Sequence, residues 1–298
     1  MDMIYTEHEE ATAFLAVAQA ALERHESANG LMLGIGLRLV REPDAYGGRA
    51  YLATVESSRG LMVAAMMTSP YKLHKLQIHA DDACEPAAVE LVADGLLRGA
   101  WPVPGVLGRE PEAQMFASIW CRRTGAKWRT EMRQTAYALR RVVHPCYPAG
   151  EFRAAGQEDI ELVRRWARAF HQDCFGDGRP ERTVATAEEK VKSHDLFLWV
   201  DRTPRSMAAR GRPTPHGEAV SFVYTPPDER GKGYATAVVA RASQRILDDG
   251  KDFCTLFANA DNGTANRLYQ RIGYEVLGNV VGLGFETPAE RSGEEAPG

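Results

Sequence analysis

The sequence predicts an α/β (α+β) fold in two domains, and three observations carry that prediction. A chain of 298 residues is long enough for two ordinary domains, each with its own core. Short β-branched and aromatic runs recur between turn signals and then alternate with amphipathic helical patterns. Finally, a proline- and glycine-rich break, His144-Pro145-Cys146-Tyr147-Pro148-Ala149-Gly150, interrupts the pattern near mid-chain and places a linker there. The expected domains are residues 1–147 and 148–286, followed by a disordered tail at 287–298.

In the first half, Phe14, Leu15, Ala18, Ala21 and Leu22 share one helical face, which predicts a helix over 6–25. Strands are expected at 31–40, 49–55 and 60–68, an antiparallel meander, with a further extended piece at 73–79. Helices at 85–98 and 110–125 then alternate with strands at 104–107 and 130–142. In the second half a short strand at 152–154 precedes an amphipathic helix at 157–175, carried by Ile160, Val163, Trp166, Ala167 and Phe170. A helix at 184–193 and strands at 197–200, 206–209, 219–225, 252–258 and 279–285 complete the count.

The most informative stretch runs from Gly217 to Ala235, GEAVSFVYTPPDERGKGYA. Its strand ends at Pro226-Pro227, which remove two consecutive N–H donors. Arg230-Gly231-Lys232-Gly233-Tyr234-Ala235 then leads directly into a helix through Val238, Val239, Ala242, Ile246 and Leu247. Glycines between a strand and a helix aim free N–H groups and the positive end of a helix dipole into one concavity, which suits a pyrophosphate. The P-loop pattern requires Ser or Thr after its Gly-Lys, and a dinucleotide fingerprint requires a third glycine where Thr236 stands. What fits is Arg-x-x-Gly-x-Ala at Arg230, Gly233 and Ala235. Downstream, Asn262-x-x-Ala265-x-x-x-Tyr269-x-x-x-Gly273-Tyr274 sets Asn262 as an N-cap and Gly273 as the residue that ends the helix. It also sets Asn262, Asn266 and Tyr269 on one helical face.

Together these two motifs resemble the two signatures of the GNAT superfamily of acyl-CoA-dependent N-acyltransferases. The resemblance implies a mixed, mostly antiparallel central sheet flanked by helices, with a splayed strand pair in the C-terminal copy. It implies acetyl-CoA as cosubstrate, its pantetheine arm on the strand edge at Val223, Tyr224 and Thr225. The pyrophosphate would lie on Arg230, Gly231, Lys232, Gly233, Tyr234, Ala235 and Thr236, with Asn259, Asn262 and Asn266 completing the cofactor side. Tyr269 takes the general-acid position, and Glu218, the carboxylate of the central strand, is the candidate base if a bulge restores its facing. Phe170, His171, Asp173, Cys174 and Phe175 are candidates for acceptor contact. The first half follows the same order of elements but has no glycine between 69 and 86 and no Asn-to-Tyr pattern, and reads as a degenerate copy.

Composition narrows the partners. A net charge of −4 gives no basic footprint for nucleic acid, and no apolar run reaches the length of a membrane span. The acidic N-terminus is unlike a signal peptide, so a cytoplasmic protein is expected. Five scattered cysteines suggest neither a disulfide framework nor a metal site, and His74 and His79 would face opposite sides of a strand. The acceptor is a small-molecule or peptide amine of unspecified class, and a homo-oligomer stays open. Two other readings stand beside acyl transfer: a non-catalytic acyl-CoA sensor or partner-binding protein, and an NTP-binding enzyme built on Gly231 and Gly233.

Overall fold

The computed structural model describes residues 2–69, 74–81, 84–176 and 178–286. The chain forms two compact units, residues 1–135 with 278–298, and residues 136–277. The sequence places its linker at 144–150, whereas the units divide inside two long strands, because strand pairing decides membership. The expected tail at 287–298, like Leu73 at the start of the expected piece 73–79, lies outside the described residues.

The first unit contains β1 (Ile4–Glu7), α1 (Ala11–Arg24), α2 (Glu26–Arg41), β2 (Tyr51–Ser57), β3 (Gly60–Met67), β4 (Leu76–Ala80), α3 (Pro86–Arg98), β5 (Gly105–Arg109) and α4 (Glu110–Thr124). It also takes residues 127–135 of β6 (Lys127–Leu139) and 278–286 of β12 (Glu275–Glu286). Its strands lie in the order β1-β2-β3-β4-β5-β12-β6, and β4 and β5 run parallel, registered at Leu76↔Val106 and Gln77↔Leu107. Alternation sends Leu76, Ile78 and Ala80 to a core shared with Val89 and Val92 of α3 and Phe116 of α4. The other face buries Leu52, Ala64 and Met66 against Phe14 and Leu22 of α1 and Leu33 of α2.

Two expectations are corrected here. The helix expected over 6–25 begins only at Ala11, since Ile4–Glu7 pairs with β2 as an edge strand, Tyr5 opposite Val55. The strand expected over 31–40 is the helix α2. Its buried residues Asn29, Met32, Leu33, Gly36 and Leu39 follow helical spacing, and Leu, Met and Arg are good helix formers. Gly36 lets the helix close on α1: a Cβ there would stand 3.1 Å from a Leu15 methyl. That close packing offsets the roughly 1 kcal/mol a mid-helix glycine costs.

The second unit holds residues 136–139 of β6, β7 (Glu151–Ala154), α5 (Ile160–Phe175), α6 (Glu181–Lys192), β8 (Leu196–Asp201), β9 (Thr203–Gly211), β10 (Gly217–Tyr224), α7 (Tyr234–Asp248), β11 (Phe253–Asn259) and α8 (Gly263–Ile272). Its strand order is β6-β11-β10-β9-β8-β7. Phe197, Trp199, Val220, Cys254 and Leu256 pack under Val238, Ala242 and Ile246 of α7 and Tyr269 and Ile272 of α8. On the opposite face Leu196, Leu198, Met207 and Ala209 pack with Val163 and Trp166 of α5 and Val184 and Val191 of α6. Along the chain the order β-α-α-β-β-β-α-β-α-β therefore occurs twice, from β1 to β6 and from β7 to β12.

Candidate active site

The site of the second unit is built where β10 stops pairing. β10 and β11 run parallel with register at Gly217↔Phe253, Glu218↔Cys254 and Ala219↔Thr255, and that register ends while the strands continue to Tyr224 and Asn259. On its other side β10 pairs with β9 at Ser221↔Ala209 and next at Tyr224↔Met207, a bulge that leaves Phe222 and Val223 out of register. The shift inverts the alternation of the strand. Val220 belongs to the α7 core, yet Tyr224, of equal parity, packs with Trp166 on the α5 face. Phe222 takes φ +52°, a strained conformation for an aromatic residue. Phe222 and Val223 thus lie outside the register of β10 with β9 and beyond its register with β11.

After β10, a single 3₁₀ turn at Pro227–Glu229 leads to Gly231 (φ +77°) and Gly233 (φ +88°), both in the left-handed region that favours glycine. A Cβ added at Gly231 meets nothing within 4 Å, so the turn opens onto free space. α7 starts at Tyr234, and its first N–H groups have no carbonyl one turn earlier within the helix. Tyr234 is itself fixed, its hydroxyl donating to Asp201 Oδ2 at 3.0 Å. Thr225 is likewise occupied, its Oγ1 2.8 Å from Ser206 Oγ. Both cations of the turn are engaged by acids. Arg230 donates through Nε to Thr225 O (3.0 Å) and through Nη2 to Asp173 Oδ2 (2.6 Å). Lys232 Nζ donates to Glu229 Oε2 (2.9 Å), and Lys232 together with Arg205 holds the Glu229 carboxyl below its usual range.

α8 supplies the phenol. Asn262 caps the helix, its Oδ1 accepting from Ala265 N at 3.0 Å, and Gly273 ends it at φ +106°. Asn266 is held on both ends: Nδ2 donates to Ala260 O (3.0 Å), and Oδ1 accepts from the Tyr137 hydroxyl (3.0 Å). Asn259 Oδ1 accepts from Asp261 N at 2.9 Å. These three asparagines therefore build the β11–α8 turn. Tyr269 is buried, its ring 5.9 Å from that of Tyr137 and 6.0 Å from that of Tyr274. Burial pushes its phenol well above the ordinary range, and the neighbouring Cys174 and Tyr137 add to the push. Its hydroxyl makes no hydrogen bond to the described residues, so its proton is uncommitted.

Glu218, expected as the base, is brought elsewhere. It is buried on the α7 face, where Arg210 Nη2 donates to its Oε2 at 2.5 Å while Nη1 reaches Asp249. It precedes the bulge, and α5 packs on the opposite face of the sheet. Its carboxylate is engaged by the Arg210 guanidinium, which ties β10 to β9 and gives Glu218 an anchoring task. Asp173 and Tyr137 act on the site from 57 and 129 residues away from their partners, and no local motif marks either.

In the first unit the segment joining β4 to α3 holds no glycine, and the seventh residue of α4, the place Tyr269 has in α8, is the buried Phe116, stacked on Trp120 at 5.8 Å. Among the described residues no helix is long and apolar enough to cross a membrane, and no group of three His, Cys, Asp or Glu could hold a metal ion.

Residues 200–281 match the family model described as FR47-like protein. A curated relative, the acetyltransferase SG1711 of Sodalis glossinidius, is 29% identical over 138 residues, 45% of this chain and 93% of that protein. Among solved structures, a GCN5-related N-acetyltransferase from Sphaerobacter thermophilus superposes with a TM-score of 0.58 at 17% identity, covering 95% of both chains. A tandem GNAT protein from the clavulanic acid biosynthesis pathway does so with a TM-score of 0.55 at 13% identity, covering 96% of this chain and 98% of that one. The structural likenesses bear on the fold.

Proposed function

We propose that the chain is a GNAT-type acyltransferase whose second unit transfers an acetyl or related acyl group from acetyl-CoA to an amine by direct attack in a ternary complex. The observation that carries this reading is the conjunction at one end of β10: a bulged strand edge with two unregistered residues runs into an open glycine turn at a helix N-terminus. That geometry suits an extended amide-bearing arm along Val223 and Tyr224 and a pyrophosphate on the N–H groups of 231–236. The residues present fit the cosubstrate, since the space a Cβ at Gly231 would enter is free.

In the proposed reaction the neutral amine nitrogen forms a bond to the thioester carbonyl carbon, and the carbon–sulfur bond breaks. The amine gives up one proton and the departing thiolate takes one, yielding an amide and free CoA. The N–H of Val223 stabilises the oxyanion. The Tyr269 phenol, held protonated by burial and without a competing acceptor among the described residues, donates to the sulfur. We route the amine proton to water, because Glu218 is already bound by Arg210. The test is to incubate the protein with acetyl-CoA and a panel of amines, following free thiol and product mass. Amide formation with equimolar thiol supports the reading. Tight acetyl-CoA binding with no transfer to any amine would instead favour a sensor.

A further inference from the structure

We propose that the acceptor is a primary amine carried on an aromatic or bulky apolar group, which packs on a wall made by Phe170, Phe175 and Phe222. This deepens the acyl-transfer reading and rests on it for the position of the reacting carbonyl. The last turn of α5 is tied to the site from three directions. Asp173 holds Arg230 at 2.6 Å, Cys174 acts electrostatically on Tyr269, and the Phe170 ring stacks on Phe222 with centroids 5.2 Å apart and planes at 22°. Phe222 is the bulge residue whose strained backbone turns it out of register with β9, so its ring meets α5 at the unregistered end of β10. Phe175 meets Phe170 edge-on at 6.4 Å and is 62% exposed, so the wall keeps an open aromatic surface. Three rings linked in a row through Phe170, one of them open to solvent, offer a platform on which an aromatic group gains both apolar burial and ring stacking.

Charge argues in the same direction. An acceptor with several ammonium groups needs several unclaimed carboxylates, but the acid of this turn, Asp173, is committed to Arg230. His171 presents Nδ1 to Thr183 Oγ1 at 2.8 Å, and the flanking residues Gln172 and Cys174 are neutral. Among the described residues of this turn a singly charged amine with an apolar body finds its match, and no free carboxylate is offered to a polyamine.

The experiment compares phenethylamine, ethylamine and spermidine with the full chain and with Phe175→Ala, whose exposed position makes a folded variant the expected product. Binding of each amine to CoA-saturated protein is measured by calorimetry, and turnover by thiol release. Phenethylamine should exceed both other amines in kcat/KM by about tenfold or more, each hydrophobic contact of this size being worth roughly that factor. Phe175→Ala should lower the phenethylamine value about 3–10-fold while leaving ethylamine within about twofold and CoA affinity unchanged. Preference for ethylamine or spermidine in the parent, or an undiminished phenethylamine value in the variant, would overturn the aromatic wall and leave acyl transfer standing. Binding of phenethylamine that depends on Phe175, with no thiol released, would keep the wall and overturn transfer.

Discussion

Replacing Tyr269 with Phe removes one oxygen from a buried ring and nothing else. The ring contacts to Tyr137 and Tyr274 remain, and no hydrogen bond to the described residues is lost. Stability near neutral pH should therefore change by less than about 0.5 kcal/mol, whereas loss of a general acid lowers turnover about 10²–10⁴-fold. CoA affinity should stay within about twofold, because the turn at 230–236 is untouched. The pH dependence has a definite sign. Burial raises the folded phenol above the ordinary tyrosine value, so the group is a proton donor across the neutral and mildly alkaline range. Its stabilising contribution is complete below the unfolded value near 10 and is lost as pH rises above it, at up to about 1.4 kcal/mol per pH unit. The Phe variant should accordingly lose stability less steeply above about pH 10 than the parent. Thiol-release kinetics at saturating acetyl-CoA, calorimetry and denaturation at several pH values measure all three. A fall in kcat of less than about fivefold would refute the acid role and leave the hydroxyl as an orienting group.

Two further substitutions separate cofactor electrostatics from scaffold. Asp173→Asn frees Arg230 from an exposed ion pair worth about 0.2–1 kcal/mol, so CoA should bind up to about fivefold tighter, with the gain shrinking at high salt; weaker binding would show that Asp173 positions Arg230 instead. Glu218→Gln breaks a buried pair whose arginine keeps Asp249, and should cost about 1–3 kcal/mol in denaturation with kcat changed less than about threefold; a large kcat loss at unchanged stability would restore it as the base.

What was legible in the sequence was what local physics decides. The strand stop at Pro226-Pro227, the glycine turn before α7, the Asn262 cap and the Gly273 terminus are each fixed by residues within a few positions, and each appears in the structure. The run 31–40 misled because its Ile and Val suggest a strand, while the deciding fact is the fit of Gly36 against Leu15, a contact 21 positions away. The facing of Glu218 could not be counted from strand parity, because the bulge lies after it and its partner Arg210 comes from the neighbouring strand. Asp173 on Arg230 and Tyr137 on Asn266 are long-range pairs of ordinary residue types. Unit membership was hidden for the same reason: composition marks the break at 144–150, but the pairing of β6 and β12 sets where the units divide.

The central claim, one acyl-CoA site at the start of α7, is tested most directly by titrating CoA into the chain and its glycine-turn variants. The parent should saturate at one CoA per chain, since the first unit has neither a glycine turn nor a phenol at Phe116. Gly233→Val forces a β-branched residue to φ +88°, so its folding is checked alongside. Gly231→Asp, a residue type tolerated at positive φ, sets a carboxylate in the open space of the turn. Both should reduce CoA affinity about 100-fold or more, with Gly231→Asp still folded. Two equivalent sites per chain, or undiminished affinity in folded Gly231→Asp, would contradict the account.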